Sequence, residues 1–322
     1  MYQMEMVCLD QMVGENHRYR GFMKVWDFKA VDKMLGTVKK KNPHEGYGIE
    51  RLFRCLLLQF LEDLSDRELE VFLKENTAGK WFCGFGLMEE VPDHTVFTRA
   101  RSKIGTNLLS QLFEQLRKEL KVKGYMNEVF TFVDASHLIS KASLWEERDK
   151  AIGKKYEKLN NEVLPKVAVD KQARIGCKGK SKYWYGYKKH VSVDMQSGLI
   201  NKVALTPANV TDARGLKHVC PSQGAVYTDK GYCTSPATDI ALQKGCHLAA
   251  IKKNNMKTKN VDQDIWYSKI RAPYERVFSQ DPKRVRYKGI AKNQFALFMQ
   301  ALCFNLKRLQ VLSPPGLKAA IG

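Results

Sequence analysis

Between residues 49 and 61 the apolar positions Leu52, Phe53, Leu56, Leu57 and Phe60 recur at three- and four-residue steps, which is one face of a helix. Ser65-Asp66-Arg67-Glu68 follows as a capping box and starts a second helix through Leu69, Phe72 and Leu73. Gly79 to Gly86 reads as a Gly- and aromatic-rich turn. Asp93 is expected to cap a helix carrying Thr95, Thr98, Arg99, Arg101 and Lys103, and another helix covers Leu108 to Leu120. After residue 125 the period changes. Val129 to Val133 is a short apolar run rich in β-branched and aromatic residues, as in a strand buried on both faces. Residues 183–194 alternate: Tyr183, Tyr185, Tyr187, Val191 and Val193 lie on one face, and Gly186, Lys188, His190 and Asp194 on the other. Gln196 to Gly198 makes a turn, and Leu199 to Leu205 returns as a hairpin partner. Val226 to Thr228 is a further strand, 235–244 a helix, and 247–251 a last strand. Phe298, Leu302 and Leu306 give a final helix expected to pack on the sheet.

These elements predict an α/β protein with a helical N-terminal domain. Residues 1–44 read as an arm and linker, with Lys39-Lys40-Lys41 and Pro43 suggesting exposure and Trp26-Asp27-Phe28 and Leu35 suited to docking on a neighbouring subunit or domain, and 45–125 read as the helical domain. Residues 126–312 form the sheet domain, interrupted at 137–182 by a lysine-rich insertion containing Trp145, and 313–322 is a tail. Two short helices, a turn and an Arg-bearing helix resemble a helix-turn-helix, although a plain helical bundle fits the same pattern.

Composition changes this picture in one respect. The 322 residues are 44% hydrophobic with a mean hydropathy of −0.40. No apolar run approaches the roughly 18 residues of a membrane span, and the N-terminus lacks a basic-then-apolar pattern, so a cytoplasmic protein is expected. The eight cysteines are scattered with no C-x-x-C pair, which argues against zinc. The +20 net charge, however, is concentrated. Residues 141–190 hold 14 Lys or Arg against 6 acids, and residues 251–322 hold 15 against 4. That distribution favours a phosphate-lined groove and a nucleic-acid partner over a merely solvated face.

The candidate chemistry lies in three carboxylates. Asp134 ends the run from Val129, Asp229 follows Val226-Tyr227-Thr228 and precedes Gly231, where a sharp turn is expected, and Glu275 sits in a helix start after Pro273. Two of them have a plain alternative: a turn residue for Asp134 and a surface ion pair for Glu275. Together, three acids on two strand ends and a helix suit a site for two hard cations such as magnesium or manganese, roughly 3.5–4 Å apart. Without cations, such close carboxylates repel one another and tend to protonate.

The words around these acids carry a resemblance. They run in order from Phe132-Val133-Asp134 through Tyr185-Gly186-Tyr187-Lys188-Lys189-His190 to Thr206-Pro207-Ala208-Asn209-Val210-Thr211-Asp212. Thr228-Asp229-Lys230-Gly231-Tyr232 follows, then Arg271 with Tyr274-Glu275-Arg276-Val277-Phe278, and finally Arg286-Tyr287-Lys288-Gly289. The ordered set resembles the insertion-sequence-five group of bacterial transposases, within the DDE superfamily. Arg271 keeps the family spacing of four before Glu275, whereas Tyr267 and Lys283 each stand one residue further out. The resemblance implies an RNase H-like catalytic domain with Asp134, Asp229 and Glu275 as its metal-binding triad and two magnesium or manganese ions. It also implies a homodimer that cuts element ends and joins 3′ ends to target DNA. Lys188, His190, Arg271, Arg276, Lys283, Arg284 and Arg286 are the expected DNA contacts. A silent DNA-binding repressor derived from a transposase, and a nuclease without strand transfer, remain as alternatives.

Overall fold

The computed structural model describes residues 7–36, 46–140, 161–162, 164–179, 182–278 and 282–312. The chain forms two compact units. One comprises residues up to Leu116 together with those from Leu302 onward, and the other runs from Arg117 to Ala301.

The first unit is helical among the described residues: α1 (Leu9–Met12), α2 (Arg18–Val25), α3 (Phe28–Leu35), α4 (Ile49–Leu61), α5 (Asp66–Glu75), α6 (Thr77–Cys83) and the first part of α7 (His94–Val122). The central element is α4, buried continuously from Cys55 to Leu61. A helix apolar on nearly all sides belongs inside a bundle. The box expected at Ser65 is present, with Glu68 N–H donating to the Ser65 hydroxyl and Ser65 N–H to the Glu68 carboxylate. Asp93 accepts from Thr95 and Val96 as a cap.

Two expectations fail here. Residues 79–86 are mostly helix, because Asn76 caps α6 and Gly84 closes it in the left-handed conformation (φ 79°). The segment before residue 37 is no free arm: Tyr19, Phe22, Trp26, Val31 and Leu35 are core residues. The expected linker around Lys39–Pro43 lies outside the described residues. The two helices expected after Asp93 are both present within α7, which breaks at Gly105 where the backbone leaves the helical region (φ 65°, ψ 171°).

The second unit holds six strands: β1 (Phe130–Ile139), β2 (Arg174–Lys178), β3 (Lys182–Asp194), β4 (Ile200–Pro207), β5 (Gly224–Thr228) and β6 (Cys246–Ala250). Strand β3 runs antiparallel to β1 on one edge and pairs with β2 and β4, while β5 and β6 continue parallel beyond β1. Apart from the added β2, the strand order is the RNase H-like one predicted from the sequence. Between strands lie α8 (Leu164–Val167), α9 (Asp212–Val219), α10 (Ser235–Gln243) and α11 (Val261–Arg271). Helices α9 and α10 cover one face through Val133, Leu216, Val226 and Ala237. Tyr267 of α11 covers the other face against Tyr227 and Ala249.

The expected insertion is shorter than 137–182. Strand β1 continues to Ile139, residues from Leu164 already return as α8 and β2, and Trp145 lies outside the described residues. The final helix, α12 (Ile290–Leu312), also departs from expectation. From Leu302 on it belongs to the helical unit, where Lys307 Nζ donates to the Leu61 carbonyl at 3.2 Å and Gln310 Nε2 to that of Arg18 at 2.6 Å.

Candidate active site

The parallel register of β1 and β5 pairs Phe132 with Tyr227. Continued by two residues, it sets Asp134 abreast of Asp229. Asp134 is not at a strand exit: it pairs with Val191 of β3 in mid-strand, and its Oδ1 accepts from its neighbour Ala135 N–H at 2.7 Å. Burial raises its pKa to about 6, and the charges of Asp229 and Asp212 add to that rise, against Ala135 N–H and Arg271, which lower it. The repulsion expected among close carboxylates is therefore present at Asp134, although burial outweighs it.

Asp229 leaves β5 and caps a 3-10 turn, accepting from Gly231 N–H at 2.9 Å. Gly231 does not take the positive φ that a sharp turn would suggest. Its lack of a side chain serves another purpose. A Cβ there would stand 3.1 Å from Asp229 Oδ1 and 3.6 Å from Asp212 Oδ2, so glycine keeps the space between two carboxylates open.

Glu275 sits on a 3-10 helix, Ala272–Phe278, which continues α11, rather than on an α-helix. Tyr274 anchors that helix: its hydroxyl donates to the Met195 carbonyl and its ring lies 6.2 Å from Phe132. Arg271, the last residue of α11, links the acids. One guanidinium nitrogen lies 3.7 Å from Asp134 Oδ2 and 3.8 Å from Glu275 Oε1. The three predicted acids thus face one region. They do not close on one another: among the described residues, no three His, Cys, Asp or Glu side chains are grouped so as to hold a metal ion as they stand.

A fourth acid escaped the sequence reasoning. Asp212 is the first residue of α9, whose cap is Thr211, and Asp212 accepts from Lys188 Nζ at 2.9 Å. Its charge reaches Asp134 and the buried Tyr232, whose pKa lies well above the usual phenol value mainly through burial. The available signal is the position of Asp212 at the end of the Thr206–Asp212 word.

The expected DNA contacts divide. Lys188 is committed to Asp212 and only 12% exposed. His190 is removed altogether. Both faces of β3 are covered, the imidazole is fully buried, and α9 approaches so closely that a Cβ on Gly215 would fall 2.1 Å from it. Its Nε2 shares a 2.9 Å hydrogen bond with Thr206, and burial lowers its pKa to about 4, so it is neutral at ordinary pH. Arg276, Lys283 and Arg284 are exposed, and Arg286 is half-buried. The segment bearing Lys283 and Arg284 is fixed as a short addition to the end of β1. Ile139 N–H donates to the Lys283 carbonyl at 2.8 Å, and Val285 N–H to that of Ile139 at 2.9 Å. In the helical unit Arg101 forms a two-point pair with Asp66, which commits it to the bundle rather than to base edges.

Residues 161–306 match the family described as the transposase DDE domain. The match covers 146 of the 322 residues and lies mostly within the sheet unit. The match takes in Asp229 and Glu275 and begins after Asp134, which the sheet register brings abreast of Asp229. Residues 7–103 match the transposase domain DUF772. A cryo-EM structure of the piggyBac transposase synaptic complex with hairpin DNA is similar to this chain at 7% identity. The similarity covers 92% of this chain and 75% of that one, with a TM-score of 0.45. No helix among the described residues is long and apolar enough to cross a membrane.

The donor chemistry of these carboxylates fits hard divalent cations. All candidate ligands are carboxylate oxygens, Asp134 feels the negative charge of Asp229 and Asp212 against the positive charge of Arg271, and Gly231 leaves room beside Asp229.

Proposed function

We propose that this chain is a DNA transposase of the insertion-sequence-five group that acts as a homodimer in the bacterial cytoplasm. It binds element ends, cleaves there and transfers the 3′ ends to target DNA. What supports this reading is the parallel β1–β5 register, which ends at Phe132 and Tyr227 and, continued by two residues, sets Asp134 level with Asp229, together with Arg271 standing near both Asp134 and Glu275. Asp134, Asp229 and Glu275 would hold magnesium or manganese. When bound, two such ions supply the positive charge that makes a hydroxyl a nucleophile and eases departure of the 3′ oxygen.

The chain's own residues provide the rest. Asp134 within β1 and Asp229 just past the end of β5 would be carried by backbone held in the sheet, which keeps geometric error small for phosphoryl transfer. Tyr274 and Phe132 seat the 3-10 helix so that Glu275, 58% exposed, stays accessible from solvent. Lys283 and Arg284 present charge suited to phosphate beside the end of β1. No side-chain nucleophile is required.

A strand-transfer assay with element-end DNA and magnesium tests the proposal. The wild type is expected to nick and join, and Asp229→Asn to lose both by at least about a thousandfold, as for loss of a group acting at the reacting centre. Nicking without joined products would point to a nuclease, and no nicking with retained DNA binding to a repressor. Full cleavage by Asp229→Asn would overturn the site.

A further inference from the structure

We propose that Arg271 is a placeholder cation, which holds Asp134 and Glu275 in the ion-free protein and gives them up when divalent cations bind. The inference rests on the carboxylate site proposed above.

Three observations carry it. The guanidinium stands between the two acids at 3.7 and 3.8 Å, close enough for attraction and too far for hydrogen bonds. Its side chain is only 6% exposed, lying over the Phe132 ring at 5.4 Å. Its Nε is buried without a hydrogen-bond partner. Buried arginines normally satisfy their forked donors with short, two-point contacts. Here a nearly dry guanidinium is held by charge alone and keeps donor capacity in reserve.

A structural ion pair would be expected to close to hydrogen-bonding distance. A compact dication, by contrast, binds carboxylate oxygens at about 2.0–2.2 Å and concentrates twice the charge. Guanidinium and dication would repel if both stayed within about 4 Å of the same carboxylates. Arrival of the ion therefore displaces the arginine. The freed fork then has the donor geometry for a phosphate oxygen pair on the DNA strand. Ion binding and phosphate contact are thereby coupled through one side chain.

The test is Mn2+ binding to the full chain without DNA, read by the electron paramagnetic resonance of free Mn2+, for wild type, Arg271→Ala and Asp134→Asn. Removing a competitor should tighten binding, so Arg271→Ala is expected to lower the Kd on the order of tenfold, the equivalent of about 1.4 kcal/mol. An unchanged or weakened Kd would overturn the inference, since a merely structural arginine loosens the site when removed. Should Arg271→Ala fail to fold, Arg271→Gln keeps the side-chain bulk and is judged by the same direction of change. Asp134→Asn separates the two levels. If wild-type binding survives it intact, the carboxylate site itself is wrong; if it abolishes binding while Arg271→Ala leaves the Kd unmoved, only the placeholder role fails.

Discussion

Asp134→Asn should make the ion-free protein more stable, although it removes a candidate catalytic acid. The wild-type carboxyl is pushed from 3.8 to about 6, chiefly by burial and then by Asp229 and Asp212. Its ionised form is therefore disfavoured in the folded state. A raised folded pKa means that the group favours folding fully below about pH 4, and that this contribution is lost as pH climbs through about 6. The full interval corresponds to about 3 kcal/mol. A quarter of the Asp134 side chain remains open to solvent, so about 2 kcal/mol is the better expectation. Asparagine keeps an oxygen for the Ala135 N–H while carrying no charge. Thermal unfolding in EDTA at pH 8 should show Asp134→Asn melting roughly 4–8 °C above wild type, for a cooperative unit of this size. The advantage should fade by pH 4. Added Mn2+ should reverse the order, because only the wild type gains a ligand. An asparagine variant less stable than wild type at pH 8 without metal would refute the reasoning, since it would mean that Arg271 already compensates the charge.

Three further outcomes follow from the same geometry. Gly231→Ala should cut DNA cleavage about a hundredfold with little change in melting temperature, because a methyl 3.1 Å from Asp229 Oδ1 must displace that carboxylate; equal loss of stability and activity would contradict it. Glu128→Gln should cost about 3 kcal/mol in urea unfolding at pH 7, since Glu128 is fully buried with Arg117 and Lys121 each at 2.9 Å. Its carboxyl is held near pH 2, mainly by Ser222 and Lys121 working against burial, so its stabilisation should persist from above pH 4.5 downward and disappear as pH falls through about 2. The double substitution Lys283→Ala and Arg284→Ala should weaken DNA binding and reduce the log–log salt slope by about two, measured by fluorescence anisotropy across salt concentrations; an unaltered slope would remove this segment from the DNA path.

The sheet was readable because its strands announce themselves: the apolar run before Asp134 and the alternation through Tyr183–Val193 each admit one secondary structure. The three acids stood out as candidates because each sits in a recognisable word. What the sequence concealed was partnership. His190 falls on the polar side of an alternating strand, and nothing local says that α9 will lie over it with Gly215 at the contact. Asp212 reads equally well as a helix-start residue, and its second role exists only because β3 places Lys188 beside it. The first three helices span four, eight and eight residues, too short for a repeating apolar stripe to be recognised. Trp26 and Leu35 are core all the same.

The helical unit is made from two stretches far apart in the sequence: the carbonyls of Arg18 and Leu61 accept from the side chains of Gln310 and Lys307. During synthesis residues 302–312 leave the ribosome only after the whole sheet unit has been made. The bundle therefore waits, unsealed, while the sheet is already being laid down. A message truncated before codon 302 would leave an N-terminal bundle without its closing helix even though all three acids had been translated. A gene fragment encoding the bundle alone would need the terminal helix supplied as a separate peptide.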